Sequence, residues 1–143
     1  MTDWDKRWME QAQKYASWSK DKSRGVGAVV VRDRKDQISY GFNGFPKKVD
    51  DDKPDRHTRP AKYLWTIHAE LNAVLKKGDY EGCTMYSTLF PCARCAGPII
   101  QVGIAEVVTY RPDFNDPNFA DEFRVSLEMF EEAGVKIRFY EAE

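Results

Sequence analysis

The sequence predicts an α/β protein, a three-layer α/β/α sandwich built on a five-stranded mixed sheet. Apolar stretches of strand length alternate with amphipathic stretches of helix length, in the order α-β-β-α-β-α-β-α-β. A short polar turn separates the first two strands, which indicates a hairpin, whereas helices separate the last three, which indicates parallel crossovers. A chain of 143 residues can bury one substantial core, so we expect one domain over residues 1–143.

Local patterns give the predicted elements in order. Helices are expected at about 4–18, 61–77, 92–102 and 120–133. Strands are expected at 27–31, 38–42, 84–88, 106–110 and 135–139. Gly78 and Gly134 follow two of the helices and suit left-handed C-terminal caps. Pro98 lacks an amide hydrogen and should kink or loosen the third helix, and residues 44–60 predict a long surface loop.

Composition excludes several classes of function. Charged residues make up 31% of the chain and the net charge is −1, so no basic field marks a polynucleotide as the main partner. Three cysteines do not provide a disulfide framework, which favours a reducing compartment. No apolar stretch approaches the length of a membrane span, and the first residues lack the pattern of a signal peptide. We therefore expect a cytoplasmic protein.

Two short motifs carry the candidate chemistry. Residues 68–70 read His-Ala-Glu and residues 91–95 read Pro-Cys-Ala-Arg-Cys. His68, Cys92 and Cys95 offer one imidazole and two thiolates, which suit zinc, and three protein ligands leave the fourth tetrahedral position to water. The two cysteines, three residues apart, share one face of a helix whose N-terminus favours thiolates. Glu70 is then a proton carrier rather than a ligand.

The spacing of the first motif poses a geometric problem. On an ideal helix, His68 and Glu70 point roughly 200° apart because the helix has about 3.6 residues per turn. Both reach one metal-bound water only if His68 lies in the first turn, where the incoming chain can redirect it. Thr66 is the expected N-cap of that helix.

Blander interpretations compete with catalytic zinc. A Cys-x-x-Cys pair alone is equally typical of a redox site, and a lone His and Glu are usually surface or core residues. A structural zinc would usually fill its fourth position with another Cys or His, and it would give Glu70 no role. The combined pattern H-x-E…P-C-x-x-C favours the catalytic site.

These motifs resemble the cytidine and deoxycytidylate deaminase superfamily. Further stretches resemble the deoxycytidylate (dCMP) deaminases in particular: residues 26–30, 41–46, 68–73, 82–86 and 90–104. The resemblance covers nearly the whole chain and implies the same three-layer fold. It also implies zinc-dependent hydrolysis of dCMP to dUMP and ammonia, which supplies dUMP for thymidylate synthesis. In such a reaction Glu70 takes a proton from water and delivers it to the cytosine ring.

The resemblance also implies substrate contacts. Asn43 matches an asparagine that holds the deoxyribose, although an Asn-Gly pair alone is typical of a turn. Phe114 stands where the family usually carries a tyrosine beside the base. Arg24 is the first candidate for the 5′-phosphate, because arginine binds phosphate bidentately, and Arg111 is the second. Ala69, beside the histidine ligand, completes the set.

Two wider expectations follow from the resemblance. The implied partners are dCMP, dCTP and dTTP as effectors, and further copies of the chain in a homo-oligomer, often a hexamer. The alternative function is deamination of a base in tRNA or single-stranded DNA, which shares the metal motif. That alternative would prefer a basic groove with stacking aromatics, which the near-neutral sequence does not indicate.

Overall fold

The computed structural model describes residues 2–141 of the chain. Its helices are α1 (Asp3–Ala16), α2 (Lys62–Trp65), α3 (Ala69–Leu75), α4 (Ala93–Gln101) and α5 (Ala120–Ala133). Its strands are β1 (Gly27–Arg32), β2 (Asp36–Phe42), β3 (Thr84–Ser87), β4 (Glu106–Thr109) and β5 (Lys136–Phe139). Residues 1 and 143, the predicted limits of the domain, lie outside the described part. Within residues 2–141, no helix is both long and apolar enough to cross a membrane.

The five strands form one sheet in the order β2-β1-β3-β4-β5. β1 pairs antiparallel with β2, as the hairpin predicts, and also antiparallel with β3. β3, β4 and β5 run parallel to one another, because a helix crosses over between each consecutive pair. This confirms the predicted five-stranded mixed sheet.

Helices cover both faces of the sheet, which confirms the three-layer sandwich. On one face, α1 contributes Met9, Ala12 and Tyr15 to a cluster with apolar side chains of the strands. On the other face, α3, α4 and α5 contribute to a larger cluster that surrounds Phe90 and Phe130. The candidate metal ligands belong to this second layer of helices.

Gly41 allows α3 to lie directly on β2. A Cβ at this position would lie 2.2 Å from the carbonyl oxygen of Ala69 and 2.6 Å from the amide nitrogen of Ala73. Both atoms belong to the helix backbone, which cannot move aside as a flexible side chain can. The absence of a side chain at Gly41 therefore sets the depth at which α3 packs.

The predicted helix 61–77 is wrong in two respects, its continuity and its end, since it is divided into α2 and α3 and stops before Lys77. The backbone nitrogen and the hydroxyl of Thr66 both donate to the carbonyl oxygen of Lys62, at 3.1 and 2.7 Å, and close α2. Ile67 then pairs with Gly44 in an isolated antiparallel bridge, which requires extended backbone. α3 ends at Leu75 rather than at Lys77, while α4 continues through Pro98 as a helix.

Candidate active site

His68 is the N-cap of α3 and has extended backbone, with φ −67° and ψ 154°. Its imidazole is therefore directed by the incoming chain and not by the helix, whereas Glu70 lies in the first turn. This solves the geometric problem of the motif. The expected capping residue was wrong, because Thr66 is the C-cap of the preceding α2.

Cys92 and Cys95 lie at the N-terminus of α4. Cys92 is the N-cap, with φ −72° and ψ 171°, and its carbonyl oxygen accepts from the amides of Cys95 and Ala96. β3 leads into this turn through Phe90, which is almost fully buried. The amide groups of the first helical turn and the positive end of the α4 dipole favour negative charge on the sulfurs.

The three predicted ligands converge. The Nδ1 of His68 lies 3.4 Å from the Sγ of Cys92 and 3.5 Å from the Sγ of Cys95. All three ligand atoms lie within 4.8 Å of one another. In a tetrahedral zinc site with ordinary bond lengths, a nitrogen and a sulfur ligand are separated by about 3.6 Å. The donor set and its spacing therefore fit zinc.

Protonation of the cysteine pair points the same way. A hydrogen bond from the Cys95 thiol, together with the neighbouring His68, lowers the pKa of Cys92 to about 4. The same shared proton, with burial, raises the pKa of Cys95. Both sulfurs lie within reach of the imidazole. A divalent cation in this position would satisfy both sulfurs as thiolates.

Glu70 is fully enclosed beside the ligands. Only 2% of the residue is exposed, and burial raises the pKa of its carboxyl to about 7, although the charge of His68 opposes the shift. A carboxyl that titrates near neutral pH both accepts and donates a proton readily. The geometry fits the predicted proton carrier.

Asn43 and Arg24, two of the predicted substrate contacts, lie together. The Oδ1 of Asn43 accepts from the amide of Val26 at 2.8 Å, and its Nδ2 donates to the carbonyl oxygen of Arg24 at 3.0 Å. Arg24 is exposed. Ala69 is fully buried at the start of α3. The side chain of Asn43 thus holds the 24–26 backbone, with one amide hydrogen and one lone pair to spare.

Phe114 and Arg111 lie in the loop that follows β4. The ring of Phe114 meets that of Phe90 edge to face, with centroids 6.1 Å apart. Phe90 lies two residues before Cys92. The guanidinium of Arg111 lies 4.4 Å above the ring of Phe139 in β5. The structure therefore packs Phe114 on the residue that precedes Pro91 and Cys92, and it stacks Arg111 on the edge strand.

Asn72, which belongs to none of the predicted site residues, supports the histidine segment. Its Nδ2 donates to the carbonyl oxygen of Phe42 at 2.9 Å and lies 3.5 Å from that of Ile67. This amide ties α3 to the end of β2 and to the residue before His68. The sequence signal that could have indicated this role is an asparagine among the apolar residues on the core-facing side of α3.

Comparisons with known proteins agree with this geometry. A sequence profile described as "Cytidine and deoxycytidylate deaminase zinc-binding region" matches residues 2–111. An uncharacterised deaminase from the luxG 3′ region of Aliivibrio fischeri is 43% identical over 141 residues, covering 96% of this chain and 93% of the relative. The deoxycytidylate deaminase of Homo sapiens is 38% identical over 143 residues, covering 95% and 79%.

A solved structure is similar over its whole length. The dCMP deaminase of the cyanophage S-TIM5, in complex with dCMP and dUMP, superposes with a TM-score of 0.77. The alignment covers 98% of this chain and 99% of the phage chain, at 24% identity. This likeness shows the fold. The profile match and the identity to the curated relatives show the family: the chain belongs to the cytidine and deoxycytidylate deaminases.

Proposed function

We propose that this protein is a zinc-dependent dCMP deaminase, which hydrolyses dCMP to dUMP and ammonia. The observation that carries the proposal is the convergence of His68, Cys92 and Cys95 beside the buried carboxyl of Glu70. The relatives named deoxycytidylate deaminase support dCMP as the substrate. The product dUMP would serve thymidylate synthesis.

The protein's own residues supply binding of the metal and proton transfer. Zinc held by His68, Cys92 and Cys95 would supply an activated water at neutral pH. Glu70 would carry the protons of the reaction: its carboxyl would accept them from water and donate them to N3 of the cytosine ring and to the amino group that leaves as ammonia. A carboxyl with a pKa of about 7 suits both directions of transfer.

The substrate contacts remain part of the proposal. We assign Asn43 to the deoxyribose, Phe114 and Ala69 to the base, and Arg24 to the 5′-phosphate, with Arg111 as the second candidate. The exposure of Arg24 supports that order, since Arg111 already stacks on Phe139. Arginine in this role binds two phosphate oxygens at once.

Three finer expectations belong to the same proposal. The protein acts in the cytoplasm, forms a homo-oligomer, suspected to be a hexamer, and responds to dCTP and dTTP. A cleft of about 410 Å³ on the β2 side is lined by Asn43, Lys47 and Lys48 together with Phe42 and Phe45, which supports binding of the nucleotide substrate beside Asn43. Lysines suit phosphates, and aromatic rings suit a base.

Ammonia release from dCMP, CMP, deoxycytidine and a cytosine-bearing oligonucleotide tests the proposal. We expect kcat/KM for dCMP to exceed that for deoxycytidine by about 30- to 1000-fold, because a charge-assisted bond to the phosphate is worth roughly 2–4 kcal/mol. Equal treatment of dCMP and deoxycytidine would reject a nucleotide substrate, and preference for the oligonucleotide would favour the polynucleotide alternative.

Arg24→Ala tests the assignment of the phosphate. The variant should raise KM for dCMP and leave the slow turnover of deoxycytidine unchanged, so that the preference shrinks. Arg111→Ala is the matched comparison, because it also removes the guanidinium of one exposed residue. If Arg111→Ala shrinks the preference and Arg24→Ala does not, the two assignments are reversed.

A further inference from the structure

A buried ion pair joins the segment before β1 to the segment before the metal site. The Nζ of Lys62 lies 3.3 Å from both carboxylate oxygens of Asp21. The two side chains are only 7% and 18% exposed, so solvent screens this pair far less than the exposed pairs of the surface. An ammonium buried to this degree depends on its carboxylate, since burial of an unpaired charge is costly.

Asp21 also organises its own loop. Its Oδ1 accepts from the amides of Ser23 at 2.9 Å and Arg24 at 3.2 Å. Burial alone would raise the pKa of Asp21, but these backbone bonds and Lys62 hold the pKa below its usual range. The carboxylate is therefore charged at neutral pH. It holds the loop through the amides of Ser23 and Arg24 and joins it to Lys62.

The pair closes a ring of contacts around one wall of the site. From Asp21 the ring runs through the loop backbone to Asn43, whose amide binds the backbone of Arg24 and Val26. Gly44 then exchanges two backbone hydrogen bonds with Ile67, at 2.8 and 3.1 Å. Ile67 immediately precedes the histidine ligand, and the chain before it returns to Lys62. Of the cross-links described here, only the one between Asp21 and Lys62 is ionic.

We propose that Asp21 and Lys62 are positioning residues, which hold loop 19–26 and Asn43 in the place where they meet the nucleotide. This inference rests on the proposed dCMP deamination. Glu70 and the metal ligands are held by α3 and α4, whose packing does not use the pair. Loss of the pair therefore weakens substrate binding and leaves the chemical step intact.

Two substitutions remove the ionic contact and keep most of the packing around it, although each leaves the partner's charge buried without its counter-ion. Asp21→Asn keeps an oxygen that accepts from the loop amides, and Lys62→Met keeps the apolar stem and the backbone carbonyl that closes α2. Each should raise KM for dCMP by about tenfold, because misplaced binding groups lose orientation. The kcat should stay within about twofold and zinc content should not change. The double variant should raise KM as much as either single variant, since all three lack the same interaction, and it should unfold at a higher temperature than either, since it leaves neither charge unpaired.

Asp79→Asn is the matched control. Asp79 accepts from the amide of Glu81 at 3.0 Å and faces the guanidinium of Arg32, but it is 77% exposed and follows the far end of α3. This variant should keep the wild-type KM. A wild-type KM in Asp21→Asn and Lys62→Met would overturn the inference, as would a joint loss of kcat and zinc, which would assign the pair to the metal site. A wild-type protein inactive on dCMP would instead overturn the proposed function, and this inference with it.

Discussion

The backbone conformation of His68 determines whether the two side chains of the first motif can face the same metal site. As N-cap of α3, this residue lies outside the helical repeat, so its imidazole and the carboxyl of Glu70 can serve one centre. The spacing of the motif predicted both residues and their roles. It did not predict the cap, because the bridge between Ile67 and Gly44 that extends the chain joins residues far apart in sequence.

Glu70→Gln separates chemistry from metal binding. Glutamine has the same size but cannot carry a proton, so the variant should fold and retain zinc. Its kcat on dCMP should fall by at least about 10²-fold, the lower range for a general acid–base group. Zinc content and kcat should be measured on the same preparation of the variant. Turnover near the wild-type rate would exclude Glu70 from proton transfer.

Contacts between elements set the position of the site. The close approach of α3 to Gly41 fixes the start of the helix that carries Glu70, and the α4 N-terminus holds both sulfurs. Patterns along the sequence predicted the strands, the hairpin and the parallel crossovers, because each depends on local periodicity. They could not predict the pair of Asp21 and Lys62, which lie 41 residues apart. No local pattern distinguishes a buried Lys62 from a solvated one.

Gly41→Ala tests the packing of α3. The added Cβ overlaps the backbone of α3, so the helix must shift, and we expect a loss of about 1–3 kcal/mol in the free energy of unfolding with weaker zinc binding. Gly97→Ala is the control, because nothing lies within 4 Å of a Cβ added there in α4. The control should be neutral or slightly stabilising. Thermal unfolding and zinc content should be measured for both variants. A Gly41→Ala protein that matches Gly97→Ala in both measurements would contradict the proposed packing of α3.

A partly buried charge network ties α1 to the far edge of the sheet. Arg138 of β5 donates to both carboxylate oxygens of Asp5, each at 2.9 Å, and to Glu106 of β4. Tyr86 of β3 donates to Asp5 at 2.7 Å. Burial alone would raise the pKa of Asp5, but the bonds from Arg138 and Tyr86 hold the pKa well below its usual range. The folded state therefore favours the charged carboxylate.

This network predicts acid sensitivity of the fold. A carboxyl with a depressed pKa in the folded state contributes stability above its unfolded pKa of about 3.9, and that stability is lost as pH falls below it. Asp5→Asn should be less stable than wild type at pH 7. The gap should be smaller than the about 3–5 kcal/mol of a fully buried pair, since the Arg138 side chain is 28% exposed. Urea unfolding from pH 7 to pH 3 should show the gap narrowing below about pH 4, and a constant gap would contradict the assignment.

The whole molecule brings together two motifs that stand 24 residues apart, counted from His68 to Cys92. α3 and α4 lie on one face of the sheet, and their N-terminal caps meet where three ligand atoms and one buried carboxyl converge. The fold thus converts sequence spacing into a metal site with an adjacent proton carrier. The proposed reaction depends on this convergence.

Zinc titration of the metal-free protein tests this account most directly. Zinc is removed with a chelator and returned in steps, while the conversion of dCMP to dUMP is followed by absorbance. Turnover should be absent without metal and rise linearly to an end point at about one zinc per chain. Cys92→Ala, which lacks one ligand, should show no such rise. Full turnover of dCMP by the zinc-free protein would contradict the account.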